Sequence, residues 1–219
     1  MIKFDDVKND KEVNTYIKEA DESLVAMGFT EHSFPHVMKV AAESKYILET
    51  LGYSERDAEL AQIAGFLHDI GNVINRADHA QSGALLAFRI LDGLGADPED
   101  IATIITAIGN HDEHTAFPVS PIAAALILAD KSDVRMSRVR NRNFSTFDIH
   151  DRVNYAVKSS KLSINEVLTV IGLTLSIDTS HCAVMDYFEI FLERMKLCRR
   201  AADRLNLRFE LTINGQQLI

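Results

Sequence analysis

The chain is poor in cysteine, in positive charge and in long apolar runs. Two cysteines in 219 residues, Cys182 and Cys198, exclude a disulfide-stapled scaffold. The pattern assigns both to one helix, where their separation corresponds to about 24 Å. A disulfide needs Cα atoms less than about 7 Å apart, so two reduced thiols are expected, as suits a cytoplasmic protein. Lys and Arg total 23 against 32 Asp and Glu, a net charge of −9. That balance argues against broad nucleic-acid coating, which needs a basic surface. It leaves room for a local basic site that holds an anionic substrate. No stretch reaches the roughly 18 uncharged apolar residues of a membrane helix. The opening residues, MIKFDDVKND, carry no signal-peptide pattern. A soluble, cytoplasmic chain with no membrane partner is the expectation. Repeats and low-complexity tracts are absent.

What is present is apolar residue in quantity, 47% of the chain, enough for one large domain or a domain with an appendage. Residues 5–27 read as helical. Ser33 and Pro35 mark a helix start, and Val37, Val40, Ala41, Ser44, Ile47, Leu48 and Leu51 follow at helical spacing up to Gly52. The spacing predicts a further helix over 55–70, with Leu60, Ile63, Ala64 and Leu67 inward and Gly71 as its C-terminal cap. Asp78 is suited to cap a helix reaching Leu91. Pro98 opens one with Ile101, Ile104, Ile105 and Ile108 recurring. Pro121 opens another, with Ile122, Ala125, Leu126 and Ala129 inward. The expected architecture is mainly α, a helical bundle over residues 1–145.

The pattern changes after residue 145. RVNYAVKSSKLSIN and VLTVIGLTLSID alternate and are rich in β-branched residues, so they read as strands. A long helical stripe follows, from Val184 through Phe188, Phe191, Met195, Cys198 and Ala202 to Leu205, before LRFELTI closes as a strand. Residues 146–219 are therefore expected to form a separate C-terminal α+β subdomain, its helix covering one sheet face. The exposed edges of so small a sheet invite pairing with a second copy, a homodimer.

Histidines concentrate elsewhere. Six of the eight lie between residues 32 and 114, most of them at helix ends. His36 begins a helix, His68 and Asp69 end one, and His79 begins another. His111 follows the Ile-rich helix, with Asp112, Glu113 and His114 behind it. Taken singly, a histidine at a helix end is ordinarily a cap or a solvated side chain. Asp130 is harder to dismiss, because IAAALILAD reads as buried and a carboxylate there needs a partner. Imidazoles and carboxylates converging from separate helices suit divalent ions.

In order and spacing, HVMKVA, FLHDIGN, HAQSGA, IGNHDEH and LILADKSDV resemble the HD superfamily of metal-dependent phosphohydrolases over residues 30–140. The resemblance implies an HD-type helical bundle in which His36, His68, Asp69 and Asp130 hold one ion. In two-metal relatives, Asp69 bridges to a second ion held at the places of His79 and His111. The ion would be Mn, Fe, Co, Ni or Zn, with Mg also compatible. The two-metal pattern often has a second His where this chain has Asp112. Either Asp112 replaces that imidazole, His114 reaches in, or the second site is weak. Many relatives have Lys where this chain has Asn72.

The expected chemistry is hydrolysis of a phosphomonoester or phosphodiester in a small nucleotide-like substrate. A divalent ion can lower the pKa of bound water from 15.7 toward about 7. His68 and Asp69 are the expected catalytic residues, with Asp69 orienting the water. Lys131, Arg135, Arg138 and Arg142 follow Asp130 at helical spacing. If the helix continues, they form a phosphate-binding stripe; otherwise they are a solvated face or a flexible basic linker. Two other functions use the same residues: a di-iron oxidative enzyme, and a non-catalytic nucleotide-binding regulatory domain.

Overall fold

The computed structural model describes all of residues 1–219. The expected helix over 5–27 is two helices, α1 (Phe4–Lys8) and α2 (Lys11–Ala26). The break falls at Asp10, which leaves the helical region to cap α2, its Oδ1 accepting the Val13 N–H at 2.9 Å. Helix α3 (Phe34–Thr50) starts at Ser33 and Pro35 and stops at Gly52, whose φ of +77° suits glycine. Helix α4 (Glu55–Leu67) is capped by Ser54. It lies so close to α3 that a side chain at Gly65 would stand 2.9 Å from the Ala41 Cα.

After α4 the chain tightens into a 3₁₀ turn over Ile70–Val73. Gly71 lies in this turn. It is not a left-handed helix cap. Its lack of a side chain serves packing, since a Cβ there would lie 2.0 Å from the His79 carbonyl oxygen and 2.5 Å from the Gly83 nitrogen. Helix α5 (His79–Gly93) therefore presses directly on the turn that carries Asp69. Asp78 precedes α5 in a left-handed conformation and makes no capping bond, contrary to the expected cap.

Helices α6 (Pro98–Gly109) and α7 (Pro121–Ser132) are capped by Asp97 and Ser120. Every residue of α7 from Ile122 to Ala129 is buried, on all sides of the helix. A helix apolar all round belongs at the centre of a domain. Helix α7 contacts α3, α4, α6 and the C-terminal region. Its central place explains why Asp130, one residue past the apolar run, is carried inside the molecule.

The C-terminal region runs α8 (Ile149–Ala156), β1 (Val157–Ile164), β2 (Val170–Ile177), α9 (Val184–Arg204), β3 (Arg208–Ile213) and β4 (Gln216–Gln217). The sheet order is β1-β2-β3-β4. The pairs β1/β2 and β3/β4 are antiparallel, and β2/β3 is parallel across the α9 crossover. Residues 152–156, expected to open a strand, are helical, with Asp148 capping α8 through the Asp151 N–H. Five residues of alternation are too few to separate a strand from a helical turn. Cys182 precedes α9 instead of sharing it with Cys198, and both thiols are free and buried.

Ile171, Leu173, Leu175 and Ile177 alternate inward on β2, as do Phe209, Leu211 and Ile213 on β3. Helix α9 packs on β3 and also on α7. One continuous apolar core therefore joins the bundle and the sheet, and the C-terminal region is not packed as a separate body. No helix is long and apolar enough to cross a membrane.

Candidate metal centre

Helix ends bring His36, His68, Asp69, His79, His111 and Asp130 together. His36 enters from the first turn of α3, and Asp130 from the last turn of α7. The His36 Nε2 lies 3.3 Å from the His68 Nε2, 3.4 Å from the Asp130 Oδ1 and 3.5 Å from the Asp69 Oδ2. Beside this first group, the Nε2 atoms of His79 and His111 face each other at 3.2 Å. Asp69 spans both groups. Its Oδ2 lies 3.2 Å from the His68 Nε2, and its Oδ1 lies 3.5 Å from the His79 Nε2 and 4.0 Å from the His111 Nε2.

The outer ring nitrogens determine what the inner ones offer. The Nδ1 atoms of His68, His79 and His111 lie 2.8, 3.1 and 2.6 Å from the carbonyl oxygens of Gly65, Arg76 and Ile108. The Nδ1 of His36 lies 2.8 Å from an oxygen of buried Asp133. Carbonyls and carboxylates only accept, so each Nδ1 must donate. Each neutral ring then presents a bare lone pair at Nε2. Lone pairs facing each other at these distances repel unless a proton or a cation lies between them. Ligands about 2.0–2.2 Å from an ion stand roughly 3.0–3.5 Å from one another, much as these donors do. The donor set therefore fits divalent ions bound by nitrogen and oxygen.

Electrostatics divides the two groups. Burial opposes charge on His68, but Asp69 and Asp130 outweigh it and push its pKa up to about 10. His36 is likewise raised against burial and Arg138, by the carboxylates of Asp130, Asp133 and Asp69. Burial lowers both His79 and His111. Arg76 and Lys131 reinforce it at His79, while His68 and Lys131 reinforce it at His111. Asp69 and Asp130 stay well below the usual carboxylate range despite burial, held there chiefly by His68 for Asp69 and by Lys131 for Asp130. The first group is thus electronegative enough to hold a positive charge, and the second much less so.

Supporting residues surround the donors. Besides His36, Asp133 binds the Lys39 Nζ at 3.2 Å and the Arg135 Nε at 2.9 Å. A carboxylate behind a metal-binding imidazole fixes its tautomer and raises its basicity. Asn72, fully buried, donates from Nδ2 to the Asp69 carbonyl at 2.8 Å and to its Oδ1 at 3.0 Å. Asn72 thus orients the central carboxylate. The Lys131 Nζ contacts the Asp130 Oδ2 at 2.7 Å and the Glu113 Oε2 at 2.8 Å. Arg194 of α9 completes this chain by donating to the Glu113 Oε1 at 2.9 Å.

The expected basic stripe does not form. Helix α7 ends at Ser132, and Asp133 turns the chain at φ −82°, ψ 73° to reach His36. Arg135 is drawn to Asp133 and Glu31 and does not line the cavity above the donors. Arg138 lies on its wall but is buried, donating to the carbonyls of Glu31 and Asp133. Lys131 also lies on the wall, in its ion pairs. Asp112 and His114 line the same cavity outside the close donor groups. Sequence reasoning did not single out Asp133, Arg76 or Arg194. The second Asp in LADKSDV was a visible signal for the first of these; Arg76 and Arg194 gave none.

The cavity has a volume of about 680 Å³ and is walled by α8 and α9 as well as by the bundle. Residues 34–135 match the HD domain family. The match covers just under half of the chain. All six converging side chains fall within the matched span. The His and Asp clusters of this span are arranged so that they could hold a divalent ion. An uncharacterized protein of Methanocaldococcus jannaschii is 26% identical over 106 residues, which cover 42% of this chain and 41% of that protein. The chain thus matches less than half the length of that relative. A crystal structure of a predicted HD superfamily hydrolase from an uncultured Thermotogales bacterium is 26% identical. It superposes with a TM-score of 0.45, covering 57% of this chain and 68% of the other.

Proposed function

We propose that the protein is a metal-dependent phosphohydrolase that cleaves a phosphoester of a small nucleotide-like substrate. The observation that carries this reading is the set of convergent Nε2 lone pairs around Asp69, on the wall of a cavity large enough for such a ligand. His36, His68, Asp69 and Asp130 would hold one ion, and Asp69, His79 and His111 a second. Bound divalent ions supply Lewis acidity, lowering the pKa of water and neutralising charge on the phosphoryl oxygens.

The chain's own residues do the rest. Asp69, kept ionised and oriented by Asn72, accepts a hydrogen bond from the attacking water and directs its oxygen at phosphorus, and the proton the water gives up as the new bond to phosphorus forms passes to solvent. The bond from phosphorus to the ester oxygen breaks, and the departing alkoxide takes up a proton from solvent. Lys131, itself held by Glu113 and through it by Arg194, keeps Asp130 in place by direct contact. Helices α8 and α9 supply the outer wall of the cavity.

The test is phosphate release from a panel of mononucleotides, cyclic dinucleotides and a generic phosphodiester, each with Mn, Co, Mg, Ni and Fe. Metal-dependent release that vanishes in Asp69→Ala is the expected result. No release from any ester with any metal overturns the reading, and oxygen consumption in its place assigns an oxidative enzyme.

A further inference from the structure

The charges around the cavity are unevenly committed. Arg76, Lys131, Arg138 and Arg194 are its lysine and arginine side chains. Lys131 is held between Asp130 and Glu113, and Arg194 is bound to Glu113. Arg138 spends its donors on two backbone carbonyls beside Asp133. Arg76 differs. One Nη1 donates to the Asn72 Oδ1 at 3.2 Å and stands 3.7 Å from the Asp69 Oδ1. The guanidinium lies 5.8 Å from the centre of the Phe29 ring, and the side chain is 26% exposed. A guanidinium carries five N–H donors in a planar fork. Most of Arg76's are therefore free, beside the central carboxylate of the donor cluster.

Acidic groups on the same cavity show the opposite pattern. Asp78, Asp112, Asp148 and Asp151 line it, and their contacts are with neutral donors. Asp148 accepts the Asp151 N–H, Asp151 accepts from the Asn141 amide, and Asp112 accepts the His114 N–H. Asp78 makes no capping bond. None of the four has a lysine or arginine partner. His114 and His150 stand among them and offer ring nitrogens for hydrogen bonding.

Resting on the phosphohydrolase reading, we propose that the substrate carries a single phosphoryl group and no other negative charge. Arg76 is its phosphoryl-contact residue. One anion is received at the donor cluster by the ions and the free fork of Arg76. Any further phosphate must lie along a wall with four carboxylates and no uncommitted cation, where like charges repel. The wall instead accepts hydrogen bonds from hydroxyl and amino groups, such as those of a sugar or a base. Nucleoside monophosphates or other singly phosphorylated, hydroxyl-rich compounds fit. Triphosphates, bisphosphates and dinucleoside polyphosphates do not.

Adenosine 5′-monophosphate and adenosine 3′,5′-bisphosphate share base and sugar and differ by one phosphate, so they probe the wall directly. With Mn²⁺-loaded protein, phosphate release should favour the monophosphate by about tenfold or more in kcat/KM. The paired change Asp148→Asn with Asp151→Asn should narrow that preference, since Asn retains the capping of α8. Orthophosphate binding, followed by calorimetry, should weaken about tenfold in Arg76→Ala and recover in part in Arg76→Lys. Equal or better use of the bisphosphate overturns the substrate assignment. Unchanged orthophosphate binding in Arg76→Ala overturns the role of Arg76. If orthophosphate binds in an Arg76-dependent way but no ester is cleaved with any metal, the hydrolase reading fails while the single-anion site stands.

Discussion

The two halves of the donor cluster are built from the same imidazoles and supported differently. His36 and His68 share two carboxylates, Asp69 and Asp130, and His36 has a third behind it in Asp133. His79 and His111 are backed by backbone carbonyls and share only Asp69. Both halves are buried, so burial alone does not separate them. The charge around them does. Carboxylates raise the imidazoles of the first half, while Arg76, Lys131 and His68 add to burial in lowering those of the second. A site that strongly attracts a proton strongly attracts a metal ion, subject to competition between the two. The first half should therefore bind metal more tightly.

Asp69 is the element the halves share, so its loss should have the largest effect. Asp69→Ala is expected to abolish both classes of bound metal and to reduce turnover by orders of magnitude, with helical circular dichroism unchanged. Retention of two metal equivalents in that variant would contradict the shared role.

Gly71 couples the halves mechanically, because α5, which begins at His79, rests against it. In Gly71→Ala the new methyl group overlaps the His79 carbonyl, and α5 must move. Overpacking of this kind costs roughly 1–3 kcal/mol or more. The midpoint of thermal unfolding should fall by several degrees, and the weaker metal class should suffer more than the tighter one. A variant with wild-type melting and wild-type titration would show that α5 yields freely.

Asp133 sharpens the contrast, since it serves only the first half. Asp133→Asn should weaken the tighter metal class by about 10–100-fold and leave the weaker class in place. Metal titration by calorimetry separates these outcomes, and equal weakening of both classes would point to a general loss of structure. His111→Ala should be the mildest change, removing the weaker class while the tighter class and the fold persist. A single class of sites in the wild type at saturating metal would remove the basis of the comparison.

Much of the site was legible because its donors lie at helix ends, and helix ends leave marks in a sequence. Ser33 and Pro35 announce the turn that carries His36, and the apolar run before Asp130 announces its burial. The Arg135 and Arg138 stripe failed for a corresponding reason. The residues after Ser132 are compatible with continued helix, and what stops α7 is the reach of Asp133 to His36, far away in the chain. The strand expected from residue 152 failed because Asp148 caps a helix there and Val153 and Ala156 find apolar cover.

By itself, the sequence determined the helical class of the first two thirds, the alternating strands near the end, and the identity and order of the metal-type side chains. These follow from local periodicity, capping chemistry and residue type, which neighbours along the chain largely decide. Only the tertiary structure decided which groups are left free. Asn72 became the orienting partner of Asp69, Lys131 and Arg138 were taken up by ion pairs and carbonyls, and Arg76 was left with open donors on the cavity wall. It also joined α9 to α7 through a common core and brought Arg194 to Glu113. The physical reason is that a charged side chain's availability depends on every partner within a few ångströms, and those partners come from parts of the chain far apart in sequence.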